Sequence, residues 1–186
     1  MSHYTENNSS SKPASPLSLS YMGDGVLLQK AEPVTEITPE IEDLASAMID
    51  LMYEEEGVGL AAPQIGRSIR LVVIDCDYSD KHSRNPYVLV NPRILKVSDE
   101  VASELEGCLS FPGATVKIER PVGVIVEAEN LEGDTLRYEA EHSLLARCLQ
   151  HEIDHLDGIT MLDHLGPIAR TKAAAKVKEE LRGMGE

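Results

Sequence analysis

Residues 151–158 read His151-Glu152-Ile153-Asp154-His155-Leu156-Asp157-Gly158. On a helix, side chains four positions apart project from one face, so His151 and His155 can present two imidazoles to one metal ion, with Glu152 beside them to act as a base. A histidine pair at this spacing also falls on ordinary amphipathic helices, and a motif this short does not decide the matter alone. The helix is expected over about residues 142–156, with Gly158 as its C-terminal cap.

Two further segments weigh against coincidence: Glu106-Gly107-Cys108-Leu109-Ser110 and Gly57-Val58-Gly59-Leu60-Ala61-Ala62-Pro63-Gln64. In this order and at these separations, the three segments resemble the signature segments of peptide deformylases. The match extends to Tyr21 through Pro33 and to the helix and strands between the motifs, so it covers roughly the whole chain after the first 20 residues. The resemblance implies an α+β fold, with antiparallel sheets packed around the central motif helix and a C-terminal helix. It also implies an activity: metal-dependent hydrolysis of the N-formyl group from the N-terminal formylmethionine of newly made proteins, releasing formate.

The bulk properties fit. A chain of 186 residues supports one domain with a proper core. A formal charge of -15 and a pI near 4.8 argue against nucleic acid as the main ligand, because phosphate binding needs a basic footprint. Three cysteines, Cys76, Cys108 and Cys148, form no disulfide framework and fit a reducing compartment. With no signal-peptide pattern and no apolar run near the ~20 residues of a membrane span, a cytoplasmic protein is expected, with no membrane partner.

Residues 1–19, rich in Ser, Asn and Pro, read as a disordered extension, and residues 20–186 as a single domain. Thr38 and Pro39 open a helix whose apolar positions run Ile41, Leu44, Ala45, Met48, Leu51 and Met52, and Gly57 is expected to close it, leaving the Gly57–Gln64 motif as a loop. Strands are expected over residues 69–75, 87–97 as two pieces broken at Asn91-Pro92, and 121–129, then a turn at 130–134 and a return strand over 135–139. A last helix from Pro167 to about Arg182 carries Arg170, Lys172, Lys176, Lys178 and Arg182 against Glu179 and Glu180. It is the one basic stretch of an acidic protein, ordinarily a solvated face. Some deformylases use a similar basic helix at the ribosome, so the resemblance adds the ribosome as a partner.

Two histidines bind a divalent ion incompletely, which raises the question of the third ligand. A metzincin would place a histidine where this chain has Met161, and a thermolysin-like glutamate would have to be Glu179 or Glu180, on the basic terminal helix. That leaves a cysteine. Cys148 lies on the same helical face, but its Cα would stand ~10.5 Å along the axis from that of His155, at ~1.5 Å per residue, a poor reach for a short thiol. Cys108 comes from a separate segment and can approach from the side, and the resemblance assigns the ligand role to it, giving Cys108, His151 and His155. Cys148 then reads as a buried apolar contact lining the adjacent pocket. A His2Cys set is usually assigned zinc on ligand type, whereas the resemblance implies Fe(II), with Ni, Co or Zn as substitutes.

A metal in such a set lowers the pKa of bound water to around 7, and Glu152 would take the proton and pass it to the leaving amine. The resemblance assigns stabilisation of the developing oxyanion to the Gln64 side-chain amide and the backbone N–H of Leu109. It also places a nascent formylated polypeptide beside Gly57 and Gly59 as an added strand, with Val58, Gly59, Leu144, Arg147 and Cys148 lining the substrate pocket. Arg147 stands where some members carry an aliphatic residue, Thr115 where some carry Arg, and Gly25 replaces a common Pro. A metalloprotease, or a non-catalytic domain stapled by its metal, are the alternatives. The first lacks its usual third ligand, and the second would need a fourth, for which Glu106 is the only near candidate.

Overall fold

Thr38 and Pro39 do open a helix, because proline's missing N–H costs nothing at a first turn and Glu40 and Glu42 meet its positive end. In the computed structural model, which describes residues 17–77 and 83–185, this helix, α1, spans Pro39–Glu54 and buries Ala45, Met48, Leu51 and Met52. It ends one residue earlier than expected. Glu56, not Gly57, takes the left-handed conformation (φ 56°), its N–H bonding Tyr53 O (3.2 Å) and that of Gly57 bonding Met52 O (2.8 Å). Gly57 is tightly packed instead: a Cβ there would lie 2.9 Å from Leu109 Cδ1 and 3.3 Å from Met52 O.

The stretch after it is not wholly a loop. Gly59–Ala61 forms β1, pairing antiparallel with β2, Leu71–Ile74, before a single 3-10 turn over Ala62–Ile65. The expected break at Asn91-Pro92 is a bulge within one strand, β3, Tyr87–Val97. Pro92 has no N–H for the ladder, and Asn91, at φ 52°, uses its side chain to exchange two 2.8 Å hydrogen bonds with the backbone of Val34.

Two strands are absent from the sequence reading: β4, Val101–Glu106, and β5, Val116–Pro121, which pair as a separate antiparallel sheet. The expected strand over 121–129 is thereby divided, Pro121 ending β5 and β6 running Gly123–Glu129. The turn at 130–134 returns the chain as β7, Thr135–Glu141, with Asn130 Oδ1 accepting from Asp134 N at 2.7 Å. The larger sheet has the order β1-β2-β3-β6-β7, all antiparallel, which leaves β1 at an edge.

The motif helix, α2, spans Leu144–Leu156. It starts two residues later than expected because Ser143 caps it, accepting from Ala146 N at 3.2 Å, and His142 is left-handed (φ 46°). Gly158, at φ 73°, follows the helix as expected, and a Cβ there would press within 2.9 Å of the Leu28 backbone. Leu149, Ile153 and Leu156 of α2 meet Val72, Ile74, Leu89, Val124 and Val126 of the larger sheet in one core cluster. A second cluster lies beneath α1. Leu17 and Leu19, read as part of the extension, pack against it partly buried, while residues 1–16 fall outside the described residues. The last helix, α3, Pro167–Met184, buries Ala173 and Val177 against Leu27, Phe111, Ile118, Met161 and Leu162 and leaves its five basic side chains exposed. Among the described residues, no helix is long and apolar enough to cross a membrane.

Candidate active site

The three sequence motifs meet. From α2 come His151, Glu152 and His155; from the turn after β4 comes Cys108; from the 3-10 turn after β1 comes Gln64. Cys108, His151 and His155 each offer one ligand atom, all within 4.8 Å of one another, and Cys108 Sγ lies 3.2 Å from His155 Nε2. Ligands about 2.0–2.3 Å from an ion at tetrahedral angles stand about 3.3–3.7 Å apart, so this thiol and two imidazoles fit a divalent metal.

His151 Nδ1 lies 2.9 Å from Glu106 Oε2, an arrangement that places the proton on Nδ1 and frees Nε2 as a metal ligand. Glu106 is therefore not a fourth ligand but a partner of one. Its Oε1 also accepts from Arg120 Nε (2.6 Å) and Arg147 Nη1 (2.7 Å), and its Oε2 from Arg120 Nη2 (3.1 Å). Burial opposes charge on Glu106, but the bonds from His151, Arg120 and Arg147 outweigh it and hold the carboxyl well below the usual carboxylate range. Arg120 reaches on to Asp154 Oδ2 at 2.8 Å, clamping the motif helix to the β4–β5 hairpin.

Glu152 has no such partner. It is buried, its Oε2 makes no hydrogen bond among the described residues, and burial pushes its carboxyl up to about 7. That environment suits a group that must take up a proton and release it near neutral pH. Cys148 is different: its contact with Cys76 and its burial hold the thiol well above its ordinary range, in keeping with a wall residue rather than a metal-binding thiolate.

Gln64 is locked in orientation. Its Oε1 accepts from Ala61 N (2.8 Å), which turns Nε2 toward Ser110 Oγ (3.2 Å) and Cys108 Sγ (3.5 Å). A donor thus faces Cys108. The adjoining cavity, about 430 Å³, is lined by Val58, Gly59, Leu144, Arg147 and Cys148, the five expected walls, and also by Leu105, Glu106 and Leu109. The Arg147 guanidinium, however, is bound to β4 and β5. Glu106, Arg120 and Ser110 are the site residues that motif reading missed as partners. For Glu106 the signal was the arginines, since one buried beside a metal motif requires a carboxylate, whereas Ser110, which meets Gln64, carried none.

This is the architecture of a metal-dependent hydrolase: an HExxH helix enclosed by antiparallel sheets, a cysteine from a neighbouring turn beside its two histidines, and a buried carboxylate facing a cavity. A sequence model described as "Polypeptide deformylase" matches residues 16–171. The peptide deformylase of Natranaerobius thermophilus is 50% identical over 147 residues, 79% of this chain and 90% of its own, and that of Bartonella quintana is 42% identical over 170 residues, 91% and 94%. Among solved structures, a peptide deformylase from Legionella pneumophila superposes with a TM-score of 0.86 at 38% identity, covering 92% of this chain and 99% of that one. Another, from Synechococcus elongatus in complex with actinonin, gives 0.81 at 38% identity, covering 91% and 90%. The chain belongs to the polypeptide deformylase family, and its reaction is the hydrolytic removal of an N-terminal formyl group. The metalloprotease and non-catalytic readings fall with that assignment.

Proposed function

We propose that Cys108, His151 and His155 hold the ion, that Glu152 is the acid–base group, and that Gln64 Nε2 and the Leu109 N–H receive the charge that develops on the formyl oxygen. The observation that carries this reading is the convergence of the three ligand atoms beside Glu152, whose buried oxygen lacks a partner. When bound, the ion supplies the Lewis acidity that makes water a nucleophile near neutral pH. Glu152 accepts the proton of the attacking water and returns it to the amine as the C–N bond of the formamide breaks, so formate and a free N-terminus leave. Gln64 meets the oxyanion with Nε2, which the bond from Ala61 N to its Oε1 holds turned toward Cys108.

The substrate enters as an extra strand. Support comes from β1, an edge strand with Val58 and Gly59 at its start, whose free side can accept a peptide backbone. The methionine side chain fills the cavity between Val58, Leu144 and Cys148. The ion is Fe(II), with Ni, Co or Zn as substitutes, by analogy with the family's usual practice. The substrates are nascent formylated polypeptides, met in the cytoplasm, and the exposed basic face of α3 docks on the ribosome.

The test is formate release from formyl-Met-Ala-Ser by protein purified without oxygen, with bound metal counted by element. Glu152→Ala should keep the fold and about one ion per chain yet lose most turnover, by about 100-fold or more. Equal turnover in that variant would sink the assignment of Glu152.

A further inference from the structure

We propose that Arg147 is a positioning residue, which through Glu106 holds His151 in register with Cys108 and so ties the wall of the substrate cavity to the metal-ligand set. The inference rests on the reading of Cys108, His151 and His155 as ligands.

Arg147 lies one helical turn before His151 on the same face of α2 and is 9% exposed. An apolar pocket wall has no need of a buried guanidinium, and taking that charge out of water costs several kcal/mol unless it is well paired. The pairing is extensive. Nη1 donates to Glu106 Oε1 (2.7 Å) and Ile118 O (3.2 Å), Nη2 donates to Ala102 O (3.1 Å), and Nε lies 3.2 Å from Glu104 Oε2. All four acceptors sit on β4 or β5, the hairpin whose first strand ends at Glu106, two residues before Cys108. One side chain thus registers the element that carries both histidines against the element that delivers the cysteine.

The link to His151 passes through a single carboxylate. Glu106 Oε1 is shared by Arg147 and Arg120, and its Oε2 by Arg120 and His151. Removing Arg147 leaves Glu106 charged and still paired with Arg120, so the network is loosened rather than destroyed. Outer-shell partners of metal ligands typically tune metal affinity by about 10- to 100-fold. Because Arg147 also lines the cavity, a side chain bound there abuts the residue that steadies the ligand set.

The experiment loads wild type, Arg147→Met, Arg147→Lys and Arg137→Met with Co(II) and follows the d–d spectrum and the release of the ion to a chelator. Among the described residues Arg137 makes only an exposed ion pair, with Glu139, and it serves as the control. Arg147→Met should shift the spectrum and release Co(II) about 10-fold faster or more. Arg147→Lys, whose single ammonium cannot reach Glu106, Ala102 O and Ile118 O together, should fall between, and Arg137→Met should match wild type. Wild-type spectrum and release in folded Arg147→Met overturn the proposal. Should that variant not fold, unchanged release in Arg147→Lys overturns it equally. Failure of the ligand reading has a separate signature: wild type that takes up no stoichiometric Co(II), or a thiolate-to-cobalt band that survives in Cys108→Ser.

Discussion

A Cβ placed on Gly59 would stand 2.6 Å from Glu152 Oε1 and 2.7 Å from Cys148 Sγ. Neither neighbour can give way cheaply, since both are buried on α2. The glycine in the first motif is therefore what lets β1 approach the Glu152 carboxylate and the Cys148 thiol together. Gly59→Ala should force Glu152 off its position at a cost of about 1–3 kcal/mol, read as a roughly 10- to 100-fold fall in kcat/KM with metal content unchanged. Wild-type kinetics in this variant would mean that Glu152 need not stand where it does.

Gln64 offers a cleaner separation of donor from scaffold. Its Oε1 holds Ala61 N, while its Nε2, turned toward Ser110 and Cys108, is the donor proposed to meet an oxyanion. Gln64→Glu keeps the acceptor and removes the donor. Steady-state assays should show kcat lower by about 100- to 1000-fold, the loss typical of one oxyanion donor, with the fold intact by circular dichroism. A loss confined to KM would assign Gln64 to ground-state binding instead.

The motif helix was legible because it obeys two rules at once, helical period and metal-ligand spacing, and the family resemblance, not residue type alone, pointed to Cys108 as the group that the fold brings beside His151 and His155. What escaped was whatever inverted an ordinary pattern. The β4–β5 hairpin turns Glu106 and Arg120 inward with Ile118, so its buried face carries charges and gives no hydrophobic alternation. Asn91 hid a bulge because its amide does the work of a backbone, and Glu56 took a left-handed position that composition assigns to glycine. Gly59–Ala61 is a strand too short for any periodicity, visible only once Val72–Ile74 lies beside it.

Arg120 joins Glu106 to Asp154 from a nearly inaccessible position. Arg120→Met removes a buried partner and should destabilise the protein by about 3–5 kcal/mol, measured by urea unfolding. The pH dependence gives a second reading. With its folded pKa below the unfolded value, Glu106 stabilises fully above the ordinary carboxylate range and loses that contribution only as pH falls through the folded pKa. Without Arg120 that folded pKa moves back toward the unfolded value, so the variant should lose less stability to acid in total and complete that loss at a higher pH than wild type. Parallel pH profiles would show that Arg120 does not hold Glu106 ionised.

The packing of α3 and its proposed docking on the ribosome separate by face. Val177 is fully buried against the cluster that contains Phe111 and Ile118, whereas Lys176 and Lys178 on either side of it are exposed. Deleting residues 167–186 would uncover that cluster, so truncation cannot distinguish a docking helix from a packing one. Val177→Ala should cost about 1–3 kcal/mol, lowering the thermal midpoint by about 2–10 °C, and leave ribosome binding of the folded protein intact. Lys176→Glu with Lys178→Glu should change stability by no more than about 0.5 kcal/mol each and weaken co-sedimentation with ribosomes, more so at low salt. Undiminished co-sedimentation of the doubly reversed protein would remove α3 as the docking element.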